Sequence, residues 1–366
     1  MKALLGALLL ILGACVGAAR ADDGEEPTVN LYIWGEHLAP DTLENLRKAN
    51  GIRVVVDHFD SLETVETKLL TGHSGYDLVL SGAGQHLSRA IHSGALMPLD
   101  KARLPHFAGI GEAFLRHMRP FDPHNRYAGT YAWGTTGVGF QEQAVDTRLA
   151  EAPRDSWAML FDPAVVAKFA DCEVSLLNDP NEVFGAAMRY LGLDIDRQDL
   201  DDLRAAEAQL RKVRPYIRYF DNDRNINHLA NGETCVAMSW NGNVAIARAQ
   251  ARQAQKPFQL DYRIPREGTQ IWLDALVIPR DAPHPQAALA LMDYLMRPEV
   301  IAPITDSIHY ANAIGAADAL VDPAIRNDQG TYPDEATRAR LYSKKDNGKA
   351  FNRALTRAFS RVKAGL

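Results

Sequence analysis

The chain is poor in cysteine: it has three in 366 residues, and no C-x-x-C pair among them. That excludes a disulfide-dense scaffold and a thioredoxin-type redox motif. There is no H-E-x-x-H, no G-x-S-x-G elbow and no Walker loop, so the signatures of zinc proteases, α/β-hydrolases and P-loop proteins are absent. The eleven histidines are scattered without metal-ligand spacing. "GAGQHL", from Gly82 to Leu87, superficially matches a dinucleotide loop, but Leu87 stands where the third glycine is needed. Residue types alone leave a Ser/His/Asp triad open, but no spacing singles one out, and no motif calls for a cofactor. Charge of one sign is also scarce. The formal net charge of −6 argues against a nucleic-acid partner. Internal repeats, low-complexity tracts and long linkers are lacking.

Long apolar runs are lacking too, with one exception. Lys2 precedes "ALLGALLLILGACVGA", and "ARA" (Ala19 to Ala21) follows with small residues at cleavage spacing. The run falls short of the roughly 20 apolar residues that span a bilayer, and reads as a secretory signal over residues 1–21. Its removal takes away Lys2 and Arg20 and moves the formal charge from −6 to −8. "LGAC", Leu12 to Cys15, is the alternative. Processed as a lipobox, it would leave the protein anchored through a lipidated Cys15. The "ARA" site with the acidic "DDGEE" behind it favours free release. Cys172 and Cys235 remain. An exported chain permits a disulfide between them and equally two buried thiols; the compartment favours the disulfide.

What is present from residue 29 onward is alternation. "VNLYIW" is strand-like, and "DTLENLRKAN" reads as a helix with Asp41 as its cap and Gly51 at its end. "IRVVVDHF" is strand-like again. Asp60 and Glu63 have capping-box spacing ahead of "LETVETKLL", and "YDLVLS" is the next strand. This order implies βαβ units, a parallel sheet and ligands gathered beyond the carboxyl ends of the strands. "LYIWGEH" sets Trp34, Gly35, Glu36 and His37 just past a strand, and "YDLVLSGAG" does the same for Ser81 and Gly82. "CVAMSWNGN" ends a strand on Trp240 and continues into what reads as a polar turn of Asn241, Gly242 and Asn243. "QIWLDALVIP" buries Asp274 two residues from Trp272, costly unless the carboxylate has a partner. "SIHYANA" presents Tyr310 in a small, polar segment. Near the C-terminus, Leu355, Phe359, Val362 and Leu366 have the spacing of an amphipathic surface helix with a solvated basic face.

Aromatic rings beside carboxylates at strand ends are thus the recurring feature. An aromatic face attracts an ammonium by about 0.5–2 kcal/mol, and a carboxylate adds a charge-assisted hydrogen bond of about 1.5–3 kcal/mol. Together they suit an amine on an apolar stem.

At these residues the chain resembles the periplasmic polyamine-binding proteins that feed ABC importers, such as putrescine and spermidine receptors. The resemblance covers about residues 28–365, through "IWGEHLAPDTLENL", "FDSLETVETKLL", "GYDLVL", "YAWGTTGVGF", "NDPNEVF", "LANGETCVAMSWNGN" and "HYANA". It implies a two-lobed periplasmic binding protein fold of type II. Each lobe would be a mixed sheet flanked by helices, with ligand in the cleft between. It places residues 27–132 and 249–305 in one lobe and 133–248 and 306–366 in the other. Cys172 and Cys235 match a pair that is bridged in relatives. Trp34, Trp240 and Trp272 match rings that sandwich the aliphatic chain. Glu182 and Asp274 match carboxylates that hold amines, Glu36 an acidic position and Tyr310 a cleft tyrosine. Four positions depart from the pattern. Asn243 replaces a common aspartate, His37 a tyrosine, and Gly35 and Gly82 serines. Each departure removes a polar contact or a negative charge.

The resemblance therefore implies a monomeric periplasmic solute-binding protein that delivers a polyamine or related organic cation to an inner-membrane ABC permease. A sensor of the same cation, reporting to a signalling receptor, is the alternative.

Overall fold

The computed structural model describes residues 27–35, 37–222 and 224–366. The signal segment, Cys15 and Glu36 lie outside the described residues. Ten strands form among the described residues: β1 (Thr28–Trp34), β2 (Arg53–Phe59), β3 (Leu78–Gly82), β4 (Ala128–Gln141), β5 (Val174–Leu176), β6 (Ile217–Phe220), β7 (Val236–Trp240), β8 (Leu260–Arg263), β9 (Ile271–Val277) and β10 (Ala311–Asn312). β1 pairs in parallel with β2 and β3, as the alternating pattern requires. β9 then joins antiparallel to β3 and to β4. On the other side β5 pairs in parallel with β6 and β7, while β7 and β8 run antiparallel to β4. The sheets are therefore mixed rather than wholly parallel.

β4 links the two halves. It is buried along its whole length. Up to Thr135 it pairs with β9, and from Thr136 onward it pairs with β7. The two registers meet where Gly134 faces Trp272 and Thr136 faces Trp240. Two cores lie on either side of this junction. One takes in Leu31, Leu78, Leu80, Trp133, Leu276 and Leu291, the other Val138, Phe140, Trp157, Phe161, Phe184 and Leu355. The half-buried Trp240 packs against both. Ile308, Tyr310, Ile314, Val321 and Leu341 pack into the first core, because β10 pairs with the first half of β4. β8, within 249–305, pairs with its second half.

Local signals are mostly as expected. The Thr42–Asn50 helix ends at Gly51, whose φ of 64° lets its N–H reach the Arg47 carbonyl. The second helix is capped one residue later than expected. Ser61 Oγ accepts from the Thr64 N–H at 3.2 Å, so Asp60 and Glu63 do not form the box. Asn241, Gly242 and Asn243 are not a free turn but the first turn of the helix Asn241–Gln253. Trp240, extended at φ −80° and ψ 145°, is the hinge from strand into helix.

Cys172 and Cys235 are bonded, with 5.5 Å between their Cα atoms. Each lies just before a strand of the parallel pair β5 and β7, where Val174 faces Val236. The C-terminal helix Lys349–Ala364 buries Phe351, Leu355, Phe359 and Val362. Leu366 falls beyond the helix and is 70% exposed, so its apparent helical register has no partner.

Candidate functional site

A cleft of about 380 Å³ opens at the junction of the two cores, within the range of small-molecule sites. One end is built from β1, β9 and the segment before β10. Asp274 faces Gly82 and Ala132 across its neighbouring strands and is almost wholly buried. Trp272, two residues earlier, points to the same side of β9. Tyr310 meets Trp272 edge to face, with 4.7 Å between ring centroids. Trp34, at the end of β1, rests on Phe59 at 4.2 Å. His37 Nδ1 donates to the Gly35 carbonyl at 3.2 Å, and its Nε2 lies 3.6 Å from Asp274. The His37 carbonyl in turn accepts from the buried Tyr131 hydroxyl at 2.7 Å. The result is a buried carboxylate in a cleft also lined by Trp34, Trp272 and Tyr310.

Two glycines make this packing possible. A methyl on Gly134 would overlap the Trp272 indole, and one on Gly242 would overlap the Tyr310 ring. The close approach at Gly242 lets the Tyr310 hydroxyl donate to Asn243 Oδ1 at 3.0 Å. Asn241 turns the other way and accepts from the Thr135 N–H at 3.0 Å, fastening the helix start to β4. At Gly82 a Cβ would meet Leu62, so a leucine side chain fills the space a serine would need.

The opposite end comes from the helix Pro180–Tyr190 and a loop near residue 345. Asp179 caps that helix, with Oδ1 accepting from the Asn181 and Glu182 N–H groups at 2.7 and 3.1 Å. Glu182 is buried on the first turn. Burial, then the neighbouring Asp179, push its carboxyl up to about 8, against the opposing pull of Thr136, Trp240 and Lys344. Burial also raises Asp179 and lowers Lys344.

Of the residues singled out in the sequence, Trp34, His37, Gly82, Glu182, Trp240, Asn243, Trp272, Asp274 and Tyr310 line this one cleft. Gly35 does not line it and serves His37 through its carbonyl. Sequence reasoning missed Gln85, His86, Asp179, Gln270 and the segment Lys344 to Asn347. Gln85 and His86 follow β3, so the strand-end rule already pointed there. Asp179 lies three residues before Glu182 in "NDPNEVF". The Lys344 segment gave no signal, because it arrives from the far end of the chain.

The profile of the bacterial extracellular solute-binding proteins matches residues 42–331. The chain belongs to that family. This solute-binding protein is 38% identical to the putrescine-binding periplasmic protein SpuD of Pseudomonas aeruginosa, over 98% of this chain and 97% of that one. It is 39% identical to the putrescine-binding periplasmic protein PotF of Escherichia coli, over 97% and 95%. Among solved structures, the substrate-binding protein PotD of Streptococcus pneumoniae superposes with a TM-score of 0.81 at 24% identity, covering 93% of this chain and 99% of that one. That likeness shows the two-lobed α/β binding-protein fold. Family and relatives are solute carriers, not enzymes. Among the described residues no helix is long and apolar enough to cross a membrane.

Proposed function

We propose that this solute-binding protein holds a polyamine or modified polyamine in the cleft and delivers it to an ABC permease from the periplasm. The observation that carries the proposal is Asp274, a buried carboxylate that lines the same cleft as Trp34, Trp272 and Tyr310. A primary ammonium there gains a charge-assisted hydrogen bond and aromatic faces at once. Trp240 and Trp272 flank the aliphatic stem, while Asn243 and Glu182 receive its far end. The lobes move about β4 between Thr135 and Thr136, where the strand changes partners. The ligand favours the closed form only through contacts that the open form lacks. The protein acts as a monomer, and cleavage at Ala21 releases it free of lipid.

The test is a thermal-shift screen of the refolded, ligand-free protein against diamines, spermidine, acylated diamines and basic amino acids. A ligand at 100 times its Kd stabilises by about 2.7 kcal/mol. Stabilisation by basic amino acids alone, or by none of these, would sink the polyamine reading.

A further inference from the structure

The far end of the cleft already contains a cation. Lys344 lines it beside Asp179, Asn181 and Glu182. Its ammonium donates to the Lys345 carbonyl at 2.9 Å and to Asn347 Oδ1 at 2.8 Å. Asn347 in turn donates to Asn181 Oδ1 at 2.9 Å, on the first turn of the helix that carries Glu182. The lysine is thus tied to the wall of the cleft rather than swinging in solvent. An ammonium has three N–H donors, and the third has no acceptor among the described residues. Nor does Lys344 form a direct ion pair among them, although Asp196 and Asp346, and less strongly Asp179 and Glu182, feel its charge.

We propose that Lys344 is a fixed cation standing where a diamine would bring its second ammonium. It selects ligands that carry one ammonium at the Asp274 end and a hydrogen-bond acceptor at the other. This deepens the polyamine reading and rests on it.

Charge and hydrogen bonding agree. Lys344 sets a positive charge among Asp179, Glu182 and Asp346 at this end, so a second ammonium meets a like charge nearby. Asp179 Oδ1 is occupied by two backbone N–H groups. Asn243, on the Tyr310 side of the cleft, spends its oxygen there and offers a ligand only its two amide N–H groups. Glu182, held up to about 8, is mostly protonated at neutral pH and is then a donor as well. An amide carbonyl, a hydroxyl or a carboxylate meets donors here. A bare ammonium meets Lys344.

The experiment is calorimetry of the full mature chain with putrescine, N-acetylputrescine and 4-aminobutyrate. The last two separate a neutral carbonyl from a carboxylate as the acceptor. Wild type is expected to bind at least one of them more tightly than putrescine. Lys344→Gln should tighten putrescine by about tenfold and weaken the favoured monocation by a similar factor, as expected for one charged hydrogen bond. Lys344→Met should repeat the shift, and Lys344→Arg should keep the wild-type order. A putrescine preference of tenfold or more in wild type overturns the proposal without any variant. So does a ratio of dissociation constants that stays within twofold on removing the lysine. In both cases the polyamine reading survives, because putrescine still binds. If neither these compounds nor spermidine binds wild type, both readings fall.

Discussion

At the scale of single residues, the cleft sets two carboxylates in unlike surroundings. Asp274 shares the cleft with aromatic rings, and among the described residues its ion-pair partner is His37, so it is the proposed anchor for an ammonium. Asp274→Asn should weaken the best ligand by about 1.5–3 kcal/mol, ten- to a hundredfold, measured by calorimetry. Unchanged affinity would remove Asp274 from the site. Asn243 is the complementary case. Asn243→Asp keeps the acceptor for the Tyr310 hydroxyl and adds a charge that offsets Lys344. Putrescine should then bind more tightly by about 1–2 kcal/mol, while N-acetylputrescine gains nothing. Equal gains for both would show that the residue does not read the ligand's far end. Much of this site was legible in the chain. Trp34, Trp240 and Asp274 could be found because each sits at or in a strand, and ligands gather at strand ends. Lys344 could not be found that way. It lies on a loop that only tertiary packing, through Asn347 and Asn181, brings to the cleft.

At the scale of elements, the helix Asn241–Gln253 explains why a strand ends on an indole. Trp240 closes β7 and opens the helix, so its ring lies between the two cores. Gly242 in the first turn leaves room for Tyr310. Gly242→Ala should displace that ring and break its bond to Asn243. Overpacking of this kind costs about 1–3 kcal/mol. We expect a lower melting temperature and at least tenfold weaker binding, by thermal unfolding and calorimetry. Wild-type affinity in this variant would mean that Tyr310 is not part of the site. The disulfide acts on a neighbouring element. It ties β5 to β7 across 63 residues of sequence, and closing a loop of that size contributes about 4 kcal/mol in the chain-entropy model. Cys172→Ser with Cys235→Ser should lose most of that in denaturant unfolding, with ligand affinity little changed. A loss under 1 kcal/mol would count against the entropic account. The chain showed strands, helices and their order through periodicity. It misplaced one cap by a residue, because Ser61 takes the extended conformation that the cap position requires. The division of the cores was hidden too. β8 and β10 both pair with the long β4, but with opposite halves of it, and short strands carry no mark of their partner.

At the scale of the whole molecule, the cleft couples ligand charge to stability through Glu182. Its carboxyl is raised to about 8 in the folded protein, and an unfolded glutamate titrates near 4.3. The folded state therefore holds this proton more tightly. Its contribution is fully present below the unfolded value and is lost as pH rises to about 8. Empty protein should lose stability between about pH 5 and 8, on the order of a few kcal/mol. Carboxylates held low by arginines, such as Glu66 and Glu207, act at lower pH and in the opposite sense. A second ammonium beside Glu182 favours the ionised form, so putrescine should bind with proton release and more tightly at pH 8 than at pH 6. N-acetylputrescine brings no charge to that end, and its affinity should be flatter over the same range. The pairing of His37 with Asp274 is shared by both ligands and cancels in the comparison. Thermal unfolding at pH 5, 6.5 and 8, repeated with Glu182→Gln, checks the stability side. Calorimetry in buffers of different ionisation enthalpy checks the protons. If the slope persists in Glu182→Gln, the titrating group lies elsewhere. If both ligands release the same number of protons, Glu182 does not meet the ligand's far end.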